Sequence, residues 1–175
     1  MKTYSLLLFS LLCCVQLCFS QTKAERKEAK KAQEAEAFKN VKTLVESGSY
    51  MFEADWAFAQ GGARINLIGN PNFLIVDQGH TKGDLPYFGV AQIVNYGGDG
   101  GINFDGPAEN YTISYNKKKN WVLVKFSTSD KLEGINVILK VLGPESATVS
   151  INSNTRNSIT YDGKVIEIPE DLKKN

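Results

Sequence analysis

The sequence predicts an all-β fold, an antiparallel meander forming a small barrel or sandwich and preceded by one N-terminal α-helix. Three observations predict it. From Ser49 onward apolar residues recur with a period of two in short runs, Gly, Asn, Pro or Asp separates most of the runs, and tight turns join them. Strands so connected pair as antiparallel neighbours, which disfavours a parallel α/β design. Periodicity alone does not separate barrel from sandwich.

Ahead of the strands, Met1 and Lys2 form a short positive region, Tyr4 to Val15 is an almost unbroken apolar run, and Cys18-Phe19-Ser20 precedes Gln21. Residues 1–20 read as a signal peptide cleaved before Gln21, the apolar run being too short to span a bilayer and followed at once by charges. A lipoprotein anchor is the weaker alternative: Cys13, Cys14 and Cys18 follow Leu12, Cys13 and Leu17, so the small residue expected just before a lipidated thiol is missing. All three thiols leave with the signal. The mature chain is then free of cysteine and must be held by its core. The sequence carries 20 Lys and Arg against 19 Asp and Glu, and losing Lys2 brings the mature chain to neutrality. A general attraction to nucleic acid or anionic membrane is therefore unsupported, and no membrane span is expected after signal removal.

Residues 21–48 form a charged leader. Thr22 to Ser47 is rich in Ala, Glu and Lys and contains no Pro or Gly, which predicts a single helix. Thr22 and Glu25 have capping-box spacing, and Gly48 stands where a left-handed residue would end the helix. Only Phe38, Val41, Leu44 and Val45 recur at helical spacing, so the last turns should pack and the first should project into solvent.

Residues 49–170 form the β domain. In the first strand, Tyr50, Phe52, Ala54, Trp56 and Phe58 alternate with Met51, Glu53, Asp55 and Ala57, predicting one buried face. Further strands are expected at 63–68, 73–77, 90–96, 111–115, 121–128, 135–142, 147–152, 158–161 and 164–168. Gly69 to Asn72, Asn116 to Asn120, Gly143-Pro144 and Asp162-Gly163 read as hairpin connections, the last being the strongest such signal in the chain.

The run from Tyr96 to Pro107 holds five glycines and two aspartates in twelve residues. It is not a dinucleotide fingerprint, because Asn103 replaces the third glycine, nor a phosphate loop, because no lysine lies between Lys82 and Lys117. Ile102 stands where the calcium-binding glycine repeat wants Asp, and no second copy of the unit exists. Asp99, Asp105 and Glu109 could supply oxygens to calcium or act as a hydrolytic acid and base. The plainer reading is that the glycines permit positive φ in tight turns whose backbone the aspartates accept from. No metal site or cofactor is assigned.

His80 is the only histidine, which rules out a histidine-cluster zinc site, and no Gly-x-Ser-x-Gly elbow supports a serine nucleophile. It reads as an exposed loop residue. No catalytic residue is assigned. Most aromatics read as core. Tyr87, Phe88, Tyr96 and Phe104 flank the Gly- and Pro-rich loops, where with Asp99 and Asp105 they form a candidate binding loop for a small ligand or an envelope protein.

Taken together, the charged leader, Tyr50 to Ala54, Ile65 to Leu67, Asn70-Pro71-Asn72, Leu85 to Gly89, Tyr96 to Pro107, and Asn154 with Arg156 before Ser158 resemble domain-of-unknown-function family 4251, exported proteins of Bacteroidetes. The glycine-aspartate run is the specific part of the match, which covers nearly all of the mature chain. The resemblance implies an envelope location, periplasmic or extracellular, and no activity. The expectation is a non-catalytic binding or structural module, with a hydrolase using Asp99, Asp105 or Glu109 as the rival.

Overall fold

The computed structural model describes residues 23–69, 72–89, 100–130, 133–143 and 145–173. Two compact units divide the chain after Ala35. The first, over its described residues, is the opening half of helix α1 (Lys23–Glu46), with every side chain from Lys23 to Ala35 exposed and Lys30 set 3.9 Å from Glu34 one turn on.

The second unit begins with the remainder of α1. That helix ends as Gly48 takes φ +71° and Ser47 Oγ donates to the Leu44 carbonyl at 2.7 Å. Ten strands follow among the described residues: β1 (Ser49–Phe58), β2 (Arg64–Asn66), β3 (Phe73–Asp77), β4 (His80–Leu85), β5 (Ile102–Pro107), β6 (Glu109–Asn116), β7 (Trp121–Asp130), β8 (Glu133–Gly143), β9 (Ser146–Ser153) and β10 (Ile159–Ile166). Every pairing is antiparallel, and the sheet runs β5-β4-β3-β1-β10-β9-β8-β7-β6, with β2 paired to β1 off this path.

The sheet curls into a nearly closed barrel because its two ends are one piece of chain. Only Ala108 separates β5, the partner of β4, from β6, the partner of β7. A register shift between Glu109 and Thr112, with Asn110 at φ +54°, bends the strand there. Gly106 consequently faces Thr128 and Ser129 of β7 across the seam. The fold is thus the barrel form of the meander, and closure leaves few strand edges exposed.

Inward residues of β1, β3 to β5 and β7 to β10 form one core with Val41 and Val45 of α1, and Phe38 and Leu44 of α1 and Tyr111 and Ile113 of β6 pack on it partly buried. The four from α1 are the leader residues that helical spacing singles out. Tyr115 OH donates to Glu46 Oε1 at 3.0 Å, while Lys42 Nζ lies 5.3 Å from the centre of the same ring, so the last turns of α1 rest against β6. A second, outer cluster joins Met51 and Ile75 to Ile168, with Phe73, Ile166 and Leu172 around it. The C-terminal segment 167–173 thereby covers the outside of β1 and β3.

The structure corrects the sequence expectations at three places. The pair Asp162-Gly163 is no hairpin turn but lies within β10, opposite Trp56 and Ala54. Beside it the register of β1 shifts between Ala54 and Trp56, and a Cβ on residue 163 would run into the Glu53 carbonyl. Glycine stands at this point for close approach of two backbones, a role that local sequence cannot distinguish from a turn.

The same bulge reverses the alternation of β1. Ala57 is buried in the core, whereas Trp56 and Phe58, expected on the inner face with Tyr50 and Phe52, stand half-buried outside it. The Arg64 guanidinium of β2 lies 3.8 Å from the centre of the Trp56 indole, a cation–π arrangement that covers the displaced ring. One inserted residue is enough, because the side-chain period of a strand is two.

Finally, two segments read as loops are strands. His80 opens β4, and Ile102 to Pro107 of the glycine-aspartate run form β5. Glycine depresses strand propensity, but here Gly83 makes room for the Phe104 ring, which lies where its Cβ would be. The strand expected at 90–96 lies outside the described residues.

Candidate functional site

Strand alternation divides the candidate binding loop between two places. Phe104 and Asp105 are consecutive on β5, so one points in and the other out. Phe104 is buried in the barrel over Gly83. Asp105 stands on the outer wall. Tyr87 and Phe88 follow β4 and pack half-buried on the core at the far end of that strand from His80. Tyr96 and Asp99 lie outside the described residues.

Around Tyr87 the barrel end is organised by a buried ion pair. Arg156 Nε lies 3.0 Å from Glu133 Oε1, and the two side chains are only 6% and 11% exposed. Ser153 Oγ donates to the same carboxylate oxygen at 2.5 Å, and Arg156 Nη1 donates to the Gly100 carbonyl at 2.7 Å. The guanidinium carbon lies 5.2 Å from the centre of the Tyr87 ring, and Tyr87 OH donates to the Asn157 carbonyl at 3.2 Å. Tyr161 OH, inside the barrel, donates to the Pro86 carbonyl at 2.8 Å. Arg156 therefore ties the turn after β9 both to Gly100, which takes φ +80° as expected for the run, and to the segment after β4. Asn154 Oδ1 accepts from the Gly134 amide at 3.0 Å and so holds the start of β8 beside it.

Burial fixes the titration of two tyrosines in this fold. Burial pushes the Tyr161 phenol well above its ordinary value; burial, with the adjoining Tyr111 hydroxyl at 3.1 Å, does the same to Tyr50. Both groups hold their proton more tightly folded than unfolded. Their stabilisation is therefore complete below the unfolded value near 10 and is lost as pH rises toward the folded value. Denaturant unfolding is expected to give a constant free energy from these groups up to about pH 10, then a fall of about 1.4 kcal/mol per pH unit for each of them. Tyr161→Phe and Tyr50→Phe should each reduce that slope, and an unchanged slope would show that the phenol ionises freely in the folded state.

On the outer wall, Asp105 lies opposite Lys82 of β4 in register, and His80 is two residues back on the same face. The imidazole Nε2 donates to Asp105 Oδ1 at 2.6 Å, as a carboxylate can only accept, and Lys82 Nζ is 3.8 Å from the other oxygen. His80 and Asp105 are 58% and 59% exposed. Asp77, the register partner of His80, accepts from Ser49 Oγ at 2.5 Å. Glu109, exposed on β6, pairs in register with Ser127 beyond the bend. The structure thus joins Asp105 to His80, with Glu109 set apart on β6. Among the described residues no group of three or more His, Cys, Asp and Glu is arranged to hold a metal ion.

Sequence reasoning did not single out Glu133, the first residue of β8, because a lone charge at a strand end carries no local signal of its partner. It reached Arg156 only through the resemblance. It also separated His80 from Asp105, because pairing the two required β4 and β5 to be recognised as strands.

Comparison with known proteins bears on the whole barrel. The model of a family described as a domain of unknown function, DUF4251, matches residues 32–165. The chain is similar to the crystal structure of a DUF4251 family protein from Bacteroides eggerthii, with a TM-score of 0.59 and 24% sequence identity over 78% of this chain and 91% of that one. At that identity the likeness shows the fold alone. No curated protein matches the chain.

Proposed function

The chain belongs to the DUF4251 family, a domain of unknown function, and on that premise we propose that it is an exported, non-catalytic binding module of the cell envelope. The observation that carries this reading is the placement of Asp105. It is exposed on the outer wall and already engaged by His80 and Lys82, while inward positions of the barrel hold packed apolar side chains. Acid–base and electrostatic catalysis gain most in a site shielded from water, and the Asp105 carboxylate, 59% exposed, stands in contact with it. The signal sequence supports export, and among the described residues no helix is long and apolar enough to cross a membrane.

Two measurements test the reading. Mass spectrometry of the protein from its host envelope should find a mature N-terminus at Gln21, and a lipid on Cys13, Cys14 or Cys18 would replace release by tethering. With glycoside, ester and peptide substrates the protein should show no turnover above buffer. Asp105→Asn should shift stability by about 1 kcal/mol or less, as expected for exposed ion pairs. Turnover that falls by about 10² to 10⁴ in Asp105→Asn, with the fold intact, would make the protein a hydrolase instead.

A further inference from the structure

Between the C-terminal segment and the outer wall of β3 to β5 lies a cavity of about 220 Å³. Its floor is apolar, because Phe73 and Ile75 point outward from β3 and meet Ile168 and Leu172 of the segment. Its rim carries both signs of charge: Asp77 and Asp105 on one side of the balance, Lys82 and Lys173 on the other, with His80 among them. The volume is below the range of about 300–1,000 Å³ that accommodates drug-sized ligands, so it suits one or two residues of a peptide rather than a long chain.

The geometry points to this cavity as a binding site for a small zwitterion with an apolar side chain, that is, a free amino acid or a short apolar peptide with both ends charged. The inference rests on the binding-module reading and names its ligand class. A ligand of a single sign would place its charge against two groups of like sign on this rim. A neutral apolar ligand would remove water from the rim charges and return nothing to them. A zwitterion satisfies both sets: its ammonium meets Asp77 or Asp105, its carboxylate meets Lys82 or Lys173, and its side chain covers Phe73 and Ile75. The rim's own pairs do not forbid the exchange. Lys82 and Asp105 are 3.8 Å apart and exposed, and Lys173 pairs with Glu170, which is 83% exposed. Such pairs contribute little to folding and can be traded for a ligand's charges.

Calorimetric titration of the purified protein at pH 7 with Leu-Leu, leucine and the doubly blocked N-acetyl-Leu-Leu-amide tests this. Saturable binding of Leu-Leu or leucine is expected, the tighter of the two showing whether the ligand is a peptide or an amino acid. Blocking both ends should weaken it at least tenfold, as should Lys82→Met and Asp105→Asn in protein with unchanged thermal unfolding. Absence of saturable binding by the folded wild type overturns the inference, as does equal affinity for the blocked peptide or binding indifferent to both substitutions. None of those results touches the non-catalytic reading. Release of free leucine from Leu-Leu would overturn that reading instead.

Discussion

Breaking the Glu133–Arg156 pair, by Glu133→Gln or by Arg156→Met, is expected to remove about 3–5 kcal/mol of folding stability, the usual cost of leaving one buried charge without its partner. The pair is 6% and 11% exposed, and each member has a further commitment, Glu133 to Ser153 and Arg156 to the Gly100 carbonyl. Removing the carboxylate leaves a guanidinium facing a serine hydroxyl, a carbonyl and the Tyr87 ring with no counter-charge. Removing the guanidinium leaves a buried carboxylate and an unpaired carbonyl. The double substitution Glu133→Met with Arg156→Met should cost less than either single change, because two apolar side chains strand no charge. Urea unfolding of the three variants measures this. Single losses of about 1 kcal/mol or less would mean that water reaches the pair and that it behaves as a surface contact.

Gly163→Ala is expected to cost about 3 kcal/mol, the upper end of the range for forcing extra atoms into a packed structure. The methyl would overlap the Glu53 carbonyl, which is backbone and cannot rotate aside, at the point where β1 shifts register against β10. Relief requires moving β1 or β10, and each also pairs with a strand on its other side. Gly143 provides the control. No atom lies within 4 Å of where its Cβ would be, so Gly143→Ala should be neutral or stabilising by up to about 1 kcal/mol through the unfolded chain. Thermal and urea unfolding of the two variants side by side check the contrast. Equal effects would mean that residue 163 sits in a turn after all.

The sequence by itself determined what depends on short range. The helix ending at Gly48, the seam of Phe38, Val41, Leu44 and Val45, and the alternation of β7, β8 and β9 each follow from residues within a few positions of one another. Turn chemistry was equally legible at Asn116, whose side chain accepts from the amides of Lys118 and Lys119. Only the tertiary structure decided the rest. Whether Asp162-Gly163 turns or runs straight depends on Glu53, more than a hundred residues away, and the side to which Trp56 points depends on one bulge in β1. Gly83, which made β4 read as a loop, is a strand residue because the Phe104 ring of β5 occupies the space where its Cβ would be. For the same reason the candidate loop could not be read as one site. Phe104 and Asp105 are neighbours in sequence, but a strand sends neighbours to opposite faces, and closing the barrel placed one in the core and the other beside His80 on the outer wall.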